Sequence, residues 1–199
     1  MSYALTLVPA LDRPDLLAGP VRDAVAALGA GPDAIQVAEI DPDLADTAAF
    51  CERYQVPLAE SANCVLIAGK RGGETRLAAA LVLATTRADV NGAVRRLLDV
   101  RKCSFASREV ATGETGMEYG AITPLGLPAD WPIFVDAAVA AADRVVIGSG
   151  LRRSKLVLAG SVLAALPTAS VVDGLATPVE PAGPVEPVGA ADPAGSSAE

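Results

Sequence analysis

The chain has 199 residues, of which 51% are hydrophobic and 20% charged, a composition that predicts a globular protein with a core of its own. It contains no histidine, which excludes a serine–histidine–aspartate centre, a cysteine–histidine centre and any histidine-ligated metal site. Its net charge of −8 at first argues against a nucleic-acid partner.

The cysteines also narrow the class of protein. Cys51, Cys64 and Cys103 are odd in number and widely spaced, so they predict buried thiols rather than a disulfide framework or a zinc site. We therefore expect no metal ion and no cofactor. The N-terminus lacks the basic start and long apolar region of a secretory signal, and no apolar run reaches the ~18 residues of a membrane span. A cytoplasmic protein without a membrane partner is expected.

Charge is unevenly distributed along the chain. The four acidic residues after Ala176 stand in a segment without Lys or Arg and account for half of the net charge. Basic residues in the remainder are clustered, at Lys70–Arg71, Arg95–Arg96, Arg101–Lys102, and Arg152–Arg153 with Lys155. Because salt screens charges beyond about 8 Å, such a cluster can bind phosphate on an acidic protein. The alternative is ordinary solvated surface charge.

Periodicity in the first half of the chain predicts alternating strands and helices. Residues 3–8 alternate as a short strand or lead-in. A helix is predicted over residues 20–28, ended by Gly29, and a strand over residues 34–40. Asp41 followed by Pro42 is typical of a helix start, and we expect this helix to run to about residue 54.

The middle of the chain predicts a hairpin and a capped helix. Apolar strands are predicted over residues 63–68 and 76–84, with a glycine-rich loop between them. A nucleotide-binding P-loop is followed by a helix, whereas a strand follows this loop. We therefore interpret it as the turn of a surface hairpin. Asp89 is predicted to cap a helix ending at Leu98. Its apolar positions Val90, Val94 and Leu97 should point inward, and Arg95 and Arg96 outward.

The second half contains shorter elements. We predict strands at 103–106, 133–136, 145–147, 155–158 and 170–172, helical turns at 137–142 and 160–166, and a polar segment at 108–115. Residues 177–199 nearly repeat PVEP, are rich in Pro, Gly and Ala, and lack apolar periodicity. They are predicted to be a disordered acidic tail.

Two glycine loops are the main functional signal. The first, TGMEYGAITPLG, spans residues 115–126, and the second, Gly148-Ser149-Gly150, follows an apolar run. Glycine removes the side chain that would keep a ligand away from the backbone, and Pro124 holds its loop in a set geometry. One pocket floored by backbone is therefore one interpretation. Two tight turns without a ligand are the other.

Five segments in order resemble a known family. They are ADTAAFCERYQV before NCVLIAG; ATTRADVNGAVRRLLDVRKCSFAS; TGMEYGAITPLG with a GxxxP pattern from Gly120 to Pro124; WPIFVDAAVAAADRVVIGSG; and SKLVLAGSVLAAL. Together they resemble the YbaK/EbsC family of aminoacyl-tRNA deacylases and prolyl-tRNA-synthetase-associated editing domains. The resemblance places a YbaK-like domain at 36–176, an N-terminal extension at 1–35 and the tail at 177–199. It implies a single α/β (α+β) domain with a curved, mostly antiparallel mixed sheet surrounded by helices.

The resemblance also implies a reaction. Members hydrolyse the ester of a mischarged tRNA, whose 3′ adenosine and amino acid occupy a pocket between the glycine loops. Backbone N–H groups can stabilise the developing charge, and water, a ribose hydroxyl or the substrate's side chain can attack, so the chemistry suits a chain without histidine. By the resemblance, the catalytic residues are Asn63, Gly120 and Ser149. The substrate-binding residues are Tyr119, Ala121, Ile122, Thr123, Pro124, Gly148 and Gly150. Residues that would meet tRNA phosphates are Arg101, Lys102 and Arg152.

Two positions depart from the family pattern. Many catalytically competent members have a lysine where this chain has Asn63, and an aspartate is frequent where it has Ser154 and Lys155. The leading hypothesis is a deacylase acting in trans on aminoacyl-tRNA, with a synthetase or elongation factor as a further partner. The alternatives are a catalytically impaired binder of aminoacyl-tRNA or of an adenylate-like molecule, and an interaction module that recruits a partner through its tail.

Overall fold

The computed structural model describes residues 3–31 and 33–179 of the chain. The strands within these residues pair to form three β-sheets. The strands in chain order are β1 Val8–Pro9, β2 Ile35–Glu39, β3 Ala62–Arg71, β4 Glu74–Leu83, β5 Thr86–Ala88, β6 Lys102–Phe105, β7 Ile133–Asp136, β8 Val145–Gly148, β9 Ser154–Leu158, β10 Ala169–Val172 and β11 Ala176–Pro178. The helices in chain order are α1 Gly19–Ala27, α2 Thr47–Tyr54, α3 Arg95–Leu97, α4 Arg108–Thr115, α5 Ala137–Ala140 and α6 Gly160–Ala164.

The largest sheet is mixed. Its strand order is β10-β7-β4-β3-β6, with β7 parallel to both β4 and β10 and the other pairs antiparallel. A second sheet, entirely antiparallel, has the order β1-β2-β9-β8, and β5 pairs with β11. The predicted α+β class with mixed, mostly antiparallel pairing is confirmed. The strands are divided between separate sheets instead of forming one central sheet.

The two larger sheets meet at one point that matters for the site. A parallel bridge joins Ser61, just before β3, to Val146 in β8. The N-terminal segment packs into the core beside this junction, since Leu16, Val21 and Val25 are at most 5% exposed and belong to the same apolar cluster as Ile147 in β8. The segment predicted as an N-terminal extension therefore shares its core with both sheets.

The predicted hairpin is confirmed, with a tighter turn than expected. The β3–β4 register runs from Ala62 opposite Leu83 to Arg71 opposite Glu74, which leaves Gly72 and Gly73 as the connection. Both have positive φ, +61° and +91°, a conformation that glycine adopts without the steric penalty of a β-carbon. The rest of the predicted loop belongs to the strands because these two glycines alone reverse the chain.

The helix predicted over residues 41–54 is divided in two. Asp41 caps a short 3₁₀ turn, Pro42–Leu44, by accepting a hydrogen bond from Asp43 N at 2.9 Å. The chain then leaves helical geometry, and α2 begins after Asp46. The break leaves the Ala45 carbonyl outside the α-helical hydrogen-bond ladder, where it accepts a hydrogen bond from the side chain of Lys155.

The helix predicted after Asp89 begins as expected, since Asp89 accepts hydrogen bonds from Gly92 N and Ala93 N. Its first turn, Val90–Val94, is π-helical and continues into α3. This wide turn shifts the helical phase by one residue. Leu98 is consequently buried while Leu97, predicted to point inward, is 45% exposed.

Three further differences concern segments with weak periodicity. The polar segment 108–115 is the helix α4, capped by Ser107 Oγ, which accepts from Val110 N. Residues 3–8, predicted as a short strand or a lead-in, lead into β1, which begins at Val8; the short β5 and β11 were not predicted. Thr177 and Pro178, assigned to the tail, lie in β11, and residues 180–199 lie outside the described residues. The remaining predicted elements are found within two residues of their expected bounds.

Candidate active site

A cavity of about 310 Å³ lies where the two larger sheets meet. Its walls come from the first half of β3, the end of β8, the start of α2, the end of β6 and the first glycine loop. The Ser61–Val146 bridge lies in its lining. The site is therefore assembled from segments that are far apart in the sequence.

The first glycine loop contributes residues to the cavity selectively. Tyr119, Gly120 and Ile122 line it, whereas Ala121, Thr123 and Pro124 are buried outside its lining. Gly120 has a φ of +85°, and a β-carbon there would lie 2.7 Å from Arg152 Nη1. This position therefore has no room for a side chain in the observed arrangement.

The two glycine loops are hydrogen-bonded to each other. Gly150 N donates to Ala121 O at 2.9 Å, and Glu118 N donates to Gly150 O at 2.9 Å. A β-carbon on Gly148 would collide with the carbonyl oxygen of Ala121. Gly148 lines the cavity, whereas Gly150 lies outside the lining and holds the two loops together through its backbone hydrogen bonds.

Ser149, predicted to be catalytic, does not line the cavity. Its hydroxyl is fully buried and lies 2.7 Å from Ser154 Oγ, while Ser154 Oγ donates to Leu16 O at 2.6 Å. Its backbone carbonyl accepts from Ala18 N at 3.1 Å. Through these contacts Ser149 connects the second glycine loop to the N-terminal segment.

Asn63, also predicted to be catalytic, does line the cavity. It lies in β3, and its Oδ1 accepts a hydrogen bond from Thr47 Oγ1 at 2.8 Å. The amide nitrogen is then the polar atom that Asn63 can offer to a ligand. Thr47, the first residue of α2, lies in the same wall.

Lys155 also lines the cavity, although the sequence pattern placed it only in a basic cluster and not among the site residues. It lies in β9 directly opposite Gly148, and the residue is only 9% exposed. Nζ donates to Ala45 O at 2.9 Å and lies 5.1 Å from the centroid of the Phe50 ring. Burial lowers the pKa of this amine to about 8. The available sequence signal was a lysine at the start of the predicted apolar strand over residues 155–158.

Arg152 forms hydrogen bonds with other residues of the chain through both its backbone and its guanidinium. Its backbone N–H donates to Glu118 Oε2 at 2.6 Å, and its guanidinium contacts Asp46 Oδ1 at 3.3 Å and Pro42 O at 3.1 Å. The side chain thereby ties the second glycine loop to the chain before α2. Its predicted contact with tRNA phosphate stays a prediction. Arg101 and Lys102 are exposed and lie outside the cavity lining, at the start of β6.

Two exposed aromatic residues stand at the cavity. Phe105, at the end of β6, is 61% exposed and Tyr119 is 53% exposed, although both belong to the lining. The Arg108 guanidinium lies 5.3 Å from the centroid of the Tyr119 ring. The site therefore combines an interior lined by both polar and apolar residues with an aromatic rim.

Residues 3–31 and 33–179 contain no group of three or more Cys, Asp or Glu side chains placed to hold a metal ion. In the same residues, every helix is too short or too polar to cross a membrane.

Comparison with known proteins identifies the fold. The chain is similar to a solved protein described as a candidate trans-editing enzyme for prolyl tRNA synthetase, with 21% sequence identity and a TM-score of 0.66, covering 78% of this chain and 94% of that chain. It is similar to the hypothetical protein APE2540, with 16% identity and a TM-score of 0.69, covering 79% of this chain and 99% of that chain. A scaffold protein from computational epitope grafting matches with 20% identity and a TM-score of 0.66, over 78% of this chain and 95% of that chain.

Sequence comparison identifies the family. No curated protein matches the chain. A family model described as the aminoacyl-tRNA editing domain matches residues 41–166, which is more than half of the chain and includes all residues that line the cavity. The resemblance drawn from the five sequence segments is thereby confirmed, and the chain belongs to the aminoacyl-tRNA editing domain family.

Proposed function

We propose that this chain hydrolyses, in trans, the ester bond of a mischarged aminoacyl-tRNA inside the cavity between the two larger sheets. Family membership and the trans-editing description of one structural neighbour support a deacylase-like function. The observation that carries the proposal is the cavity itself, which brings Asn63, Gly120 and Gly148 into one lining.

The rim fits the end of a tRNA. Phe105 and Tyr119 present exposed rings beside the cavity, and unpaired bases stack on such rings with little dependence on sequence. The terminal adenosine would stack at the rim while the aminoacyl ester enters the interior. Arg101 and Lys102 precede Phe105 by three or four residues, which is roughly 10–13 Å along a strand. At that distance they can meet phosphates upstream of the 3′ end.

The interior offers donors for an ester carbonyl. The backbone N–H groups of Gly120 and Ile122 donate to no acceptor among the described residues, although both residues line the cavity. Such N–H groups can stabilise the negative charge that develops on the carbonyl oxygen during hydrolysis.

A cysteine is not proposed as the attacking group. Cys64 lines the cavity, whereas Cys51 and Cys103 do not, and burial raises the pKa of the Cys64 thiol to about 12, which leaves little nucleophilic thiolate at neutral pH. Thr47 Oγ1 donates to Asn63 and has no histidine to activate it. A water molecule or a ribose hydroxyl of the substrate is therefore proposed to attack.

The proposal is tested by single-turnover hydrolysis of proline tRNA charged with alanine or cysteine and of serine-charged tRNA. Wild type should hydrolyse at least one of them faster than buffer alone. Gly120→Val should lower that rate about 100-fold, because the new side chain would meet Arg152 and displace a proposed donor. The matched control is Gly113→Val, since a β-carbon at Gly113 would have no neighbour within 4 Å.

The same assay separates the alternative function. Binding of charged tRNA at low salt without any turnover by wild type would replace the proposal with the binder of aminoacyl-tRNA or of an adenylate-like molecule. Equal loss of activity in Gly113→Val would show that the Gly120→Val effect does not report on the cavity.

A further inference from the structure

The cavity lining contains a buried lysine, Lys155, to which the proposed function assigns no role. Lys155 reaches the lining from β9, on the second sheet, whereas Asn63 reaches it from β3, on the first. Gly148 stands opposite Lys155 in the β8–β9 register and has no side chain to cover it. Lys155 is therefore part of the cavity lining, and the residue opposite it does not cover its side chain.

Two contacts of Lys155 stabilise its ammonium, while burial opposes the charged form. Nζ donates one hydrogen bond, to the Ala45 carbonyl, and faces the Phe50 ring, whose π-electrons attract a cation. Within the described residues it forms no ion pair with a carboxylate closer than 4.0 Å. Because an ammonium has three N–H donors, the Ala45 bond leaves donors that a ligand can accept. A buried cation without a paired carboxylate destabilises a fold, so such groups cluster at functional sites.

We propose that Lys155 is the catalytic cation of this cavity, and that its ammonium donates a hydrogen bond to the ester carbonyl oxygen as water attacks. The inference rests on the proposed function. In the step, the water oxygen forms a bond to the carbonyl carbon and the bond from that carbon to the ribose oxygen breaks. The two protons of the water end on the ribose hydroxyl and in solvent. Lys155 keeps its own proton and stabilises the oxyanion.

The proposal has a pH signature. The charged and titratable groups that act on Lys155 are Cys51 of α2, Asp46 before α2 and Arg152 before β9. Burial, the largest effect, lowers the lysine pKa to about 8. The ammonium is therefore present at pH 7 and lost above pH 8. The ratio of the catalysed rate to the spontaneous rate should fall above pH 8. If Lys155 instead acted as a neutral base, that ratio would rise through the same range.

The experiment compares wild type, Lys155→Met and the exchange variant Asn63→Lys/Lys155→Asn on the aminoacyl-tRNA that wild type hydrolyses. Lys155→Met should lower kcat at least 100-fold, change KM less than threefold and abolish the fall above pH 8. The exchange variant supplies a cation from the opposite wall and should recover at least tenfold of that loss. Arg87→Met removes an exposed cation of β5, outside the lining, and should stay within twofold of wild type.

Each outcome is informative. Wild-type kcat in a folded Lys155→Met protein, or a catalysed-to-spontaneous ratio that rises above pH 8, overturns the role of Lys155 and leaves the proposed function standing. No turnover by wild type on any charged tRNA overturns the proposed function, and this inference with it. Circular dichroism spectra of the variants establish that each compared protein is folded.

Discussion

Lys155 is a charged residue in β9, a strand whose residues are all buried. Its residue is 9% exposed and its Nζ has a carbonyl and a ring as neighbours. An apolar side chain of similar length would occupy the same space without the cost of removing a charge from water. Residues that cost stability and line a cavity are typical of sites selected for function.

We predict that Lys155→Met raises the free energy of unfolding at pH 7 by ~1–3 kcal/mol. Burial lowers the pKa of Lys155 from 10.5 to about 8, so between these pH values the unfolded chain binds more protons than the folded chain. Wild-type stability should therefore rise with pH from 8 to 10.5, and the variant should lack this rise. Urea denaturation across pH 7–10.5 measures both effects. A less stable Lys155→Met protein would show that the lysine is a structural group.

At the scale of the elements, two irregular turns determine which groups face the interior of the protein. The chain leaves helical geometry at Ala45–Asp46, and this break presents the carbonyl that binds Lys155. The π-helical turn Val90–Val94 buries Leu98 in an apolar cluster with Ile67 and Phe134 and leaves Leu97 exposed. In both cases one irregular turn decides which groups face inward.

The aromatic rim, formed by Phe105 at the end of β6 and Tyr119 in the first glycine loop, is predicted to bind tRNA by stacking. Phe105→Ala and Tyr119→Ala should each raise KM for charged tRNA about 5- to 100-fold with little change in kcat, because each ring supplies stacking outside the reacting centre. Val171→Ala is the matched control, since Val171 is 52% exposed and lies in β10 outside the cavity lining. An unchanged KM in both rim variants would remove the stacking assignment.

For the whole molecule, the charge distribution decides how an acidic protein could meet a nucleic acid. The net charge is −8, yet Arg101 and Lys102 are exposed on the edge strand that leads to Phe105. Binding through such residues releases counterions from the tRNA, so affinity should fall steeply with salt.

We predict that Arg101→Ala/Lys102→Ala reduces the slope of log affinity against log salt by about 1–2, because two phosphate contacts are lost. Filter binding of charged tRNA over 50–300 mM salt measures this slope. Arg87→Ala removes one exposed charge at another sheet edge and should leave the slope unchanged. A slope equal to wild type in the double variant would place the tRNA backbone elsewhere.

Much of this architecture follows from local sequence. Apolar runs predict β3, β4 and β7 because strand-forming residues show their preference within a few positions. Asp41 and Asp89 predict helix starts because an acceptor side chain caps nearby N–H groups. The glycine pair at Gly72–Gly73 predicts the hairpin because a two-residue turn needs positive φ. The five ordered segments predicted the family for the same reason, since each is a contiguous motif.

The composition of the cavity was decided by tertiary structure. Asn63, Gly120, Gly148 and Lys155 meet only because the two sheets join at Ser61 and Val146. Since every residue of β9 is buried, its sequence shows no alternation that would assign Lys155 to the cavity face. Ser149 looked equally reactive in sequence, yet its hydroxyl is engaged with Ser154 and faces away from the lining. Side-chain orientation in buried segments depends on sheet pairing and loop packing between distant residues, and local sequence contains neither.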